Sequence, residues 1–515
     1  MIKEIQITVS PQSAGVDDLL KQAIANTLGI KPVDITTYLI QKKSIDARQR
    51  EIKVTLRLKV YIGETPSATS KFQPNYQNVA NCESIIIAGS GPAGLFVALR
   101  LIELGLRPII IERGKDVSAR KKDIALISRE HTVNPESNYC FGEGGAGTFS
   151  DGKLYTRSNK RGNVERILQI LHYHGANPNI LYESQPHIGT DKLPEIIKNI
   201  RKTIIGCGGE IHFDTKLTDI IITEGHVIGI RTASGDKIES RKVILATGHS
   251  AHDIYEMLYQ KGILLESKPF AMGVRVEHPQ ELIDSIQYHS KVRNEYLPAA
   301  SYNLVTQVAD RGVYSFCMCP GGHIVPSATS PNEIVVNGMS SSLRNSPFAN
   351  SGIVVEIKQE DLHDFREFEV LAGLRCQQNL ERIAKQNSGL GQTAPAQRLT
   401  DFVMDKISTS LPQSSYTPGI ITSPMHLWLP ENISKRLQTA FIHFNKKMRG
   451  FLTSEAYLVG VESRTSSPVR IPRRTETMEH LQIKGLFPCG EGAGYAGGIV
   501  SSAMDGENVA EKVVI

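Results

Sequence analysis

Residues 84–112 read SIIIAGSGPAGLFVALRLIELGLRPIIIE, and this pattern predicts a strand, a tight turn, a helix and a second strand. The apolar run 85–88 is too short for an ordinary helix and is followed by glycine, so we expect a parallel strand buried on both faces. The helix should end near Gly105. The second buried strand, 108–111, leads directly into Glu112.

The turn in this unit has the spacing G-x-G-x-x-G at Gly89, Gly91 and Gly94. The first glycine of such a turn allows the bend, the second lets a pyrophosphate approach the backbone, and the third lets the helix pack closely. Glu112 follows at about the twenty-residue offset where a carboxylate accepts hydrogen bonds from a ribose diol. With 43 glycines in 515 residues an ordinary tight turn is the alternative. The flanking strands, helix and acid favour a bound dinucleotide.

Length and composition restrict the class of protein. A chain of 515 residues is longer than a single hydrophobic core usually supports, so we expect about two to four domains. The hydrophobic content of 40% and charged content of 22% are typical of a soluble globular protein, and a net charge of +5 is only mildly basic. We expect a cytoplasmic protein with no transmembrane segment, because the chain lacks a signal-peptide core and its seven cysteines are scattered.

Residues 1–64 predict a small α/β module in the order β-α-β-β, with the longest strict alternation at 52–62. The segment 41–50 is basic and is expected to be a hairpin loop. It is interpreted either as a solvated loop tip or as a site for RNA or an acidic partner. Residues 65–82 have no periodic apolar pattern and predict a linker.

A second glycine-rich stretch covers residues 140–153, where five of fourteen residues are glycine. Glycine is costly to order, so the stretch predicts backbone that approaches something flat or bulky, with a flexible surface loop as the alternative. Phe141 and Phe149 are apolar flanks, and Ser150 and Lys153 are donors that suit an electron-rich ring.

The rest of the chain divides into nucleotide-type and other segments. We expect helices at 164–174 and 193–205, short strands between 210 and 238, and a strand at 241–247 that ends in Gly248. The middle, 267–445, predicts a substrate or cap domain. Its expected elements are strands at 271–277, 333–337 and 352–357, a hairpin of 312–318 with 323–326 around the turn 320–322, and a long amphipathic helix at 365–386. The chain should return to the nucleotide domain near Thr453.

Four of these segments together resemble the glutathione-reductase-type FAD-binding fold. They are GSGPAG at 89–94, ERG at 112–114, ATG at 246–248 and GEGAGYAGGI at 490–499. Segments 316–322, 395–398 and 462–468 are similar to those of uncharacterised FAD-dependent dehydrogenases that carry a short N-terminal α/β module. The resemblance implies an α/β fold with a Rossmann-like FAD-binding domain at 83–266 and 446–515. An antiparallel-sheet (α+β) substrate domain is inserted at 267–445.

The resemblance and the glycine patterns predict noncovalent FAD, with a final helix at about 499–513 pointing its N-terminus at the flavin. The predicted cofactor-binding residues are Gly89, Gly91, Ala93, Gly94, Glu112, Arg113, Gly145, Ser150, Thr247, Gly248, Gly490, Glu491, Gly497, Gly498 and Ile499. A second G-x-G-x-x-G between strand and helix is not apparent. Whether electrons come from the substrate, from a protein or quinone partner, or from NAD(P)H is left open.

Candidates for catalysis are Lys153, Cys317 and Arg464. Cys317 and Cys319 have the spacing C-x-C, so on a strand both side chains would face the same side. Their α-carbons would be about 6.5–7 Å apart, at the edge of disulfide reach. The alternative to a functional pair is two cysteines packed in the core. Arg464 would fix a carboxylate or phosphate, or pair with Glu462. His187 and His323 are expected to make structural hydrogen bonds, and no metal site is predicted.

These observations predict an FAD-dependent oxidoreductase, or dehydrogenase, that transfers hydride or electrons between FAD and a small molecule. The substrate pocket is expected between the turn 320–322 and the loop 494–498. Two alternatives remain: a flavoprotein that binds or modifies RNA, suggested by the basic loop and a pI near 8.6, and a flavin-binding regulator without turnover. The mild net charge disfavours nucleic acid.

Overall fold

The computed structural model describes residues 1–66, 72–156 and 161–514. Residues 67–71 of the predicted linker lie outside this range. The described chain is mixed α/β, with parallel and antiparallel sheets. Within those ranges, no helix has the length and the apolar character needed to cross a bilayer.

The N-terminal module has the predicted β-α-β-β order and its own hydrophobic core. Its strands are Ile2–Val9, Ile35–Asp46 and Lys53–Ile62, and the last of these lies in the centre. The helices are Pro11–Gly15 and Asp17–Leu28. The predicted loop 41–50 is wrong in its first half, because the second strand runs on to Asp46. It pairs with the third strand as far as Asp46 opposite Lys53, and the Lys43 amide also donates to the carbonyl of Tyr182 (2.8 Å) in the domain that follows.

A parallel sheet of five strands forms the next domain. In spatial order the strands are Leu486–Pro488, Val243–Leu245, Ser84–Ala88, Arg107–Ile111 and Glu210–His212. The helices of this domain are Pro92–Glu103, Val117–Glu130, Val164–Tyr173, Leu193–Gly206, His252–Gln260 and Ile499–Val513. A small antiparallel sheet of Leu217–Thr223, His226–Thr232 and Lys237–Glu239 is attached. The strand–turn–helix–strand predicted at 84–112 is confirmed, whereas the helix Val117–Glu130 was missed because its sequence is mostly polar.

The large sheet of the other domain has seven strands, mostly antiparallel. In spatial order they are Val305–Val308, Arg311–Cys319, Phe348–Ile357, Phe270–Pro279, Tyr457–Glu462, Ala394–Arg398 and Ile420–Thr422. Its helices are Gln280–Tyr288, Ala372–Gln386, Leu399–Val403, Met425–Trp428 and Glu431–Lys447. The strand Tyr457–Glu462, assigned from sequence to the second part of the nucleotide domain, pairs with Phe270–Pro279 inside this sheet.

The predicted hairpin around the turn 320–322 is wrong. The strand Arg311–Cys319 pairs with Phe348–Ile357, while Gly322–Pro326 pairs with Val336–Ser340 in a separate two-stranded sheet. The chain leaves the large sheet at the turn, where the Gly321 amide donates to the side chain of Gln280 (2.6 Å). The strand expected at 333–337 is Val336–Ser340, which lies three residues further along the chain.

The predicted long helix 365–386 is only partly correct. Its first part belongs to the 3₁₀ segment Gln359–Leu371, and the α-helix begins at Ala372 and ends at Gln386. Glu369 has a φ of 48°, which a continuing α-helix does not allow. The amphipathic pattern therefore predicted the buried face but not the break.

Candidate functional site

One cleft of about 370 Å³ lies at the carboxyl edge of the parallel sheet, where Ala88 and Ala246 mark the ends of neighbouring strands. Ligands of open α/β sheets bind at this edge. The helices Pro92–Glu103 and Ile499–Val513 both begin at the cleft, so their unpaired N-terminal N–H groups lie beside it. Phe316 and Cys317 of the large sheet line the opposite wall.

The glycines of the first turn have the three distinct roles expected from their spacing. Gly89 has a φ of 106° and makes the bend. A Cβ at Gly94 would overlap the carbonyl oxygen of Gly89, so only glycine lets the helix pack here. A Cβ at Gly91 would instead point into open space, 3.9 Å from its nearest neighbour, the Cα of Gly145. Within the described residues, no neighbouring atom would clash with a side chain at Gly91, so packing does not explain why this residue is glycine.

Gly248, Gly497 and Gly498 also line the cleft, and an added Cβ would meet no atom within 4 Å at any of them. Folding does not demand a bare backbone at such positions, except for the φ of 73° at Gly248. Together with Gly91 they form a cradle of exposed peptide groups. The cradle is shaped for a group that lies directly against the main chain.

The glycine-rich stretch 140–153 is largely buried, with only Ala146 exposed, and several of its glycines are required by packing inside the protein. A Cβ at Gly142 would lie 2.5 Å from Cδ of Arg120. Arg120 is fully buried and donates to five backbone carbonyls, those of Gly142, Glu143 and Gly145 within this stretch and those of Asn138 and Tyr139 just before it. Burial lowers the pKa of Arg120 to about 10. Sequence reasoning missed this positioning residue, because it lies on the helix that was not predicted.

Glu112 lines the cleft and also connects its loops. One carboxylate oxygen accepts hydrogen bonds from the amide (2.9 Å) and hydroxyl (2.8 Å) of Ser90. The other accepts from the amides of Gly114 and Gly142, both at 3.0 Å. Glu112 is therefore a structural acceptor as well as a candidate for ribose.

The structure brings most of the predicted cofactor residues together around the cleft. The predicted residues that line it are Gly89, Gly91, Ala93, Glu112, Arg113, Gly145, Ser150, Thr247, Gly248, Glu491, Gly497, Gly498 and Ile499. Gly94 and Gly490 lie behind the lining. Arg113 is held by both oxygens of Asp253 (2.8 and 2.6 Å) and lies over the ring of Phe141.

Lining residues that the sequence analysis did not select include His249 and Asn337. His249 lies 3.2 Å from Glu491 through Nδ1, while its Nε2 is 3.1 Å from the carbonyl of Arg464. His249 could have been selected from sequence, because it directly follows Thr247 and Gly248 at the predicted strand end. No sequence pattern around Asn337 indicated a site, because this residue reaches the cleft from the strand Val336–Ser340, which is distant in sequence from the glycine turns.

Lys153 stands where the two domains meet. Its Nζ lies 3.9 Å from the sulfur of Cys317, 3.9 Å from the sulfur of Cys319 and 3.5 Å from Asp151. Burial disfavours the ammonium, but the neighbouring sulfurs and Asp151 raise the pKa of Lys153 overall. Lys153 and Arg344 in turn lower the pKa of the buried Asp151 to about 2, against the effect of its burial.

One predicted role of Arg464, an ion pair with Glu462, is wrong. Its guanidinium, although at the cleft wall, binds both oxygens of Glu381 (2.9 and 2.8 Å) and one of Glu333 (2.8 Å). Glu462, the expected partner, pairs instead with Arg275 (2.7 Å). The charge of Arg464 is therefore paired with two carboxylates of the protein itself.

The histidines singled out from sequence are peripheral. Nε2 of His187 lies 3.2 Å from the carbonyl of Ser342, which agrees with a structural role. His323 is exposed and does not line the cleft, and neither does the turn 320–322. The large-sheet domain lines the cleft through Phe316 and Cys317 of the strand Arg311–Cys319, which precede this turn. The pocket therefore lies nearer to Cys317 than the sequence analysis expected.

Comparison with known proteins now assigns the family. Residues 269–465 match the family described as "FAD-dependent protein, C-terminal domain-like", and residues 1–61 match a domain of unknown function, DUF8436. An uncharacterized protein of Clostridium beijerinckii (strain ATCC 51743 / NCIMB 8052) is 40% identical over 519 residues, 97% of this chain and 96% of that protein. The chain belongs to this family of FAD-dependent proteins.

Solved structures resemble the chain more weakly. CtdE in complex with FAD is 12% identical, with a TM-score of 0.32 and coverage of 84% of this chain and 88% of that one. Glycine oxidase from Bacillus cereus ATCC 14579 is 13% identical, with a TM-score of 0.32 and coverage of 84% and 95%. The assignment of FAD as cofactor therefore depends on the family, and the bare backbone at Gly91, Gly248, Gly497 and Gly498 fits that cofactor.

Replacing Gly91 with alanine should weaken FAD binding by about tenfold or more, because the new methyl group enters the cleft, and each 1.4 kcal/mol of lost binding free energy is a factor of ten. FAD affinity is measured by flavin fluorescence on titrating apo-protein. Gly206→Ala is the matched control, since its Cβ also meets nothing within 4 Å and lies outside the cleft. Equal FAD affinity for Gly91→Ala and the parent protein would exclude this turn as part of the site.

Replacing Arg464 with alanine should lower the free energy of unfolding by about 3–5 kcal/mol, because Glu333 and Glu381 are left buried without a cation. Urea denaturation at neutral pH measures the loss. In the variant the folded-state pKa values of these carboxyls exceed their unfolded values, so the deficit should shrink as the pH is lowered and they become neutral. Arg48→Ala, in an exposed pair with Asp46, should leave the midpoint unchanged. A deficit independent of pH would contradict this explanation.

Proposed function

We propose that the protein is an FAD-dependent oxidoreductase of the glutathione-reductase-type fold that transfers hydride or electrons between bound FAD and a small molecule. The observation that carries the proposal is that both domains line one cleft. The glycine turns of the parallel sheet form one side, and Phe316 and Cys317 of the large sheet form the other, with Lys153 between them. A dinucleotide along the turns would present its far end to the second domain.

Three groups of residues are suited to hold FAD. The first-turn amides after Gly91 suit the pyrophosphate, since N–H groups at a helix N-terminus attract anions. Glu112 and Arg113, at the end of the second parallel strand, suit the adenosine end. Gly498 and Ile499, where the last helix begins, suit the flavin.

Bound FAD would supply the two-electron redox chemistry, while the protein positions the substrate. Lys153 is half-buried, and its raised pKa keeps it protonated through the physiological range. It therefore acts as a fixed positive charge and hydrogen-bond donor rather than as a base. Since Arg464 is neutralised by its carboxylates, Lys153 is our candidate to attract an anionic substrate group such as a carboxylate.

Anaerobic reduction of the flavin by a panel of NADH, NADPH and small organic acids tests this function. We expect at least one member to bleach the yellow absorption band. Lys153→Met should slow reduction by an anionic substrate about ten- to a hundredfold, the value of a charged hydrogen bond, while FAD affinity stays the same. Lys291→Met, at an exposed lysine, is the matched control and should behave like the parent protein.

A flavin that every member of the panel leaves oxidised, although dithionite reduces it, would contradict the proposal. That result would favour a flavin-binding regulator without turnover. Equal slowing of charged and uncharged substrates by Lys153→Met would contradict the anion-attracting role alone.

A further inference from the structure

Two cysteines meet Lys153 at the wall of the cleft. Cys317 is half-buried and lines the cleft, whereas Cys319 is fully buried behind it. Both are free thiols, and each sulfur lies 3.9 Å from the same ammonium nitrogen. The Cys319 thiol also lies 3.3 Å from the carbonyl of Cys317, to which it donates.

A β-bulge lies between Phe316 and Cys319, so the spacing of a regular strand does not apply to this C-x-C pair. Phe316 pairs with Gly352, but Cys319 pairs with Asn350, so three steps along one strand match two along its partner. Cys317, inside the bulge, has a φ of 47°, which is uncommon for a residue other than glycine. Both sulfurs lie within 3.9 Å of one atom, Nζ of Lys153, so the bent strand holds the two side chains at the same place on the cleft wall.

The charges around the pair favour one thiolate and one thiol. The neighbouring Cys319 side chain lowers the pKa of Cys317, and the charges of Lys153 and Arg275 act in the same direction while burial and Asp151 oppose it. The same contact, with burial, raises the pKa of Cys319. Glu462 faces this site as well, but its charge is paired with Arg275. A nucleophilic sulfur therefore lies next to a protonated one.

We propose that Cys317 and Cys319 are a redox-active dithiol that exchanges an electron pair with FAD bound in the cleft. The inference rests on the proposed function, because FAD is the oxidant. The thiolate sulfur of Cys317 bonds to the sulfur of Cys319, whose S–H bond breaks, and the electron pair and the proton pass to the oxidised flavin. In the opposite direction, reduced flavin reduces the disulfide. The protein thus stores a second electron pair beside its cofactor.

Anaerobic dithionite titration of the air-oxidised holoprotein tests this directly. The parent protein should take up two electron pairs for each bound FAD, one for the flavin and one for the disulfide. Cys317→Ser and Cys319→Ser should each take up one. Cys207→Ser is the control for loss of a thiol outside the cleft, and it should take up two.

Mass spectrometry after alkylation is a second readout that does not depend on the serine variants folding. In the oxidised parent protein the peptide with Cys317 and Cys319 should resist alkylation and be lighter by two hydrogens, while exposed Cys82 is alkylated. In reduced apo-protein at neutral pH, Lys153→Met should slow alkylation of Cys317 by about tenfold, because a nearby opposite charge shifts a pKa by about one unit or more.

Uptake of one electron pair by the parent protein, with both cysteines open to alkylation after oxidation, would overturn the inference. If metabolites still reduce the flavin in that protein, the proposed function stands and only the dithiol is wrong. A protein that binds no FAD would overturn both.

Discussion

The carboxylate of Glu112 is the interaction on which the cleft depends. Its two oxygens accept four hydrogen bonds from three separate pieces of chain, the phosphate turn at Ser90, the strand end at Gly114 and the glycine-rich stretch at Gly142. Buried Arg120 holds that same stretch from the other side through backbone carbonyls. Because charged groups fix both faces of the loop, the cradle is formed in the protein before any ligand arrives.

Charge pairs also fix the walls of the cleft, one of them between the two domains and another within the second domain. Arg344, from the second domain, binds Asp151 on the loop that carries Lys153. Arg464 at the cleft wall is bound by Glu333 and Glu381. The charges of Arg344 and Arg464 are paired with carboxylates of the protein. Lys153 instead lies beside two sulfurs and lines the cleft. The distribution of charge thus separates residues that position the site from residues that can act in it.

The sequence was sufficient where the signal was local. A strand, three spaced glycines and a helix lie within about thirty consecutive residues, so the turn at Gly89–Gly94 and the end at Glu112 were predictable. Gly497 and Gly498 were predicted from the resemblance of the segment 490–499 to the FAD-binding fold. The reason for Gly142 was not predictable, because it depends on Arg120 from a helix with a polar sequence.

Long-range partners account for the other errors. One of the two alternatives for Arg464 was an ion pair with its neighbour in sequence, Glu462, but the strand Tyr457–Glu462 directs that acid toward Arg275 on the adjacent strand. The expected hairpin failed because Gln280 holds the turn at Gly321 and the next strand pairs elsewhere. The spacing of Cys317 and Cys319 was judged from a regular strand to lie at the edge of disulfide reach, and the bulge between Phe316 and Cys319 was not predictable because it depends on the register with a distant strand.

A crystal structure of the FAD complex is the most direct test of the central claim, that the cofactor lies on the bare glycine backbone with its flavin toward the second domain. The account predicts the pyrophosphate beside Gly91 and the flavin ring within about 4.5 Å of Cys317, the range of direct contact. A flavin ring at the Glu112 end of the cleft, out of contact with Cys317 and Lys153, would contradict it.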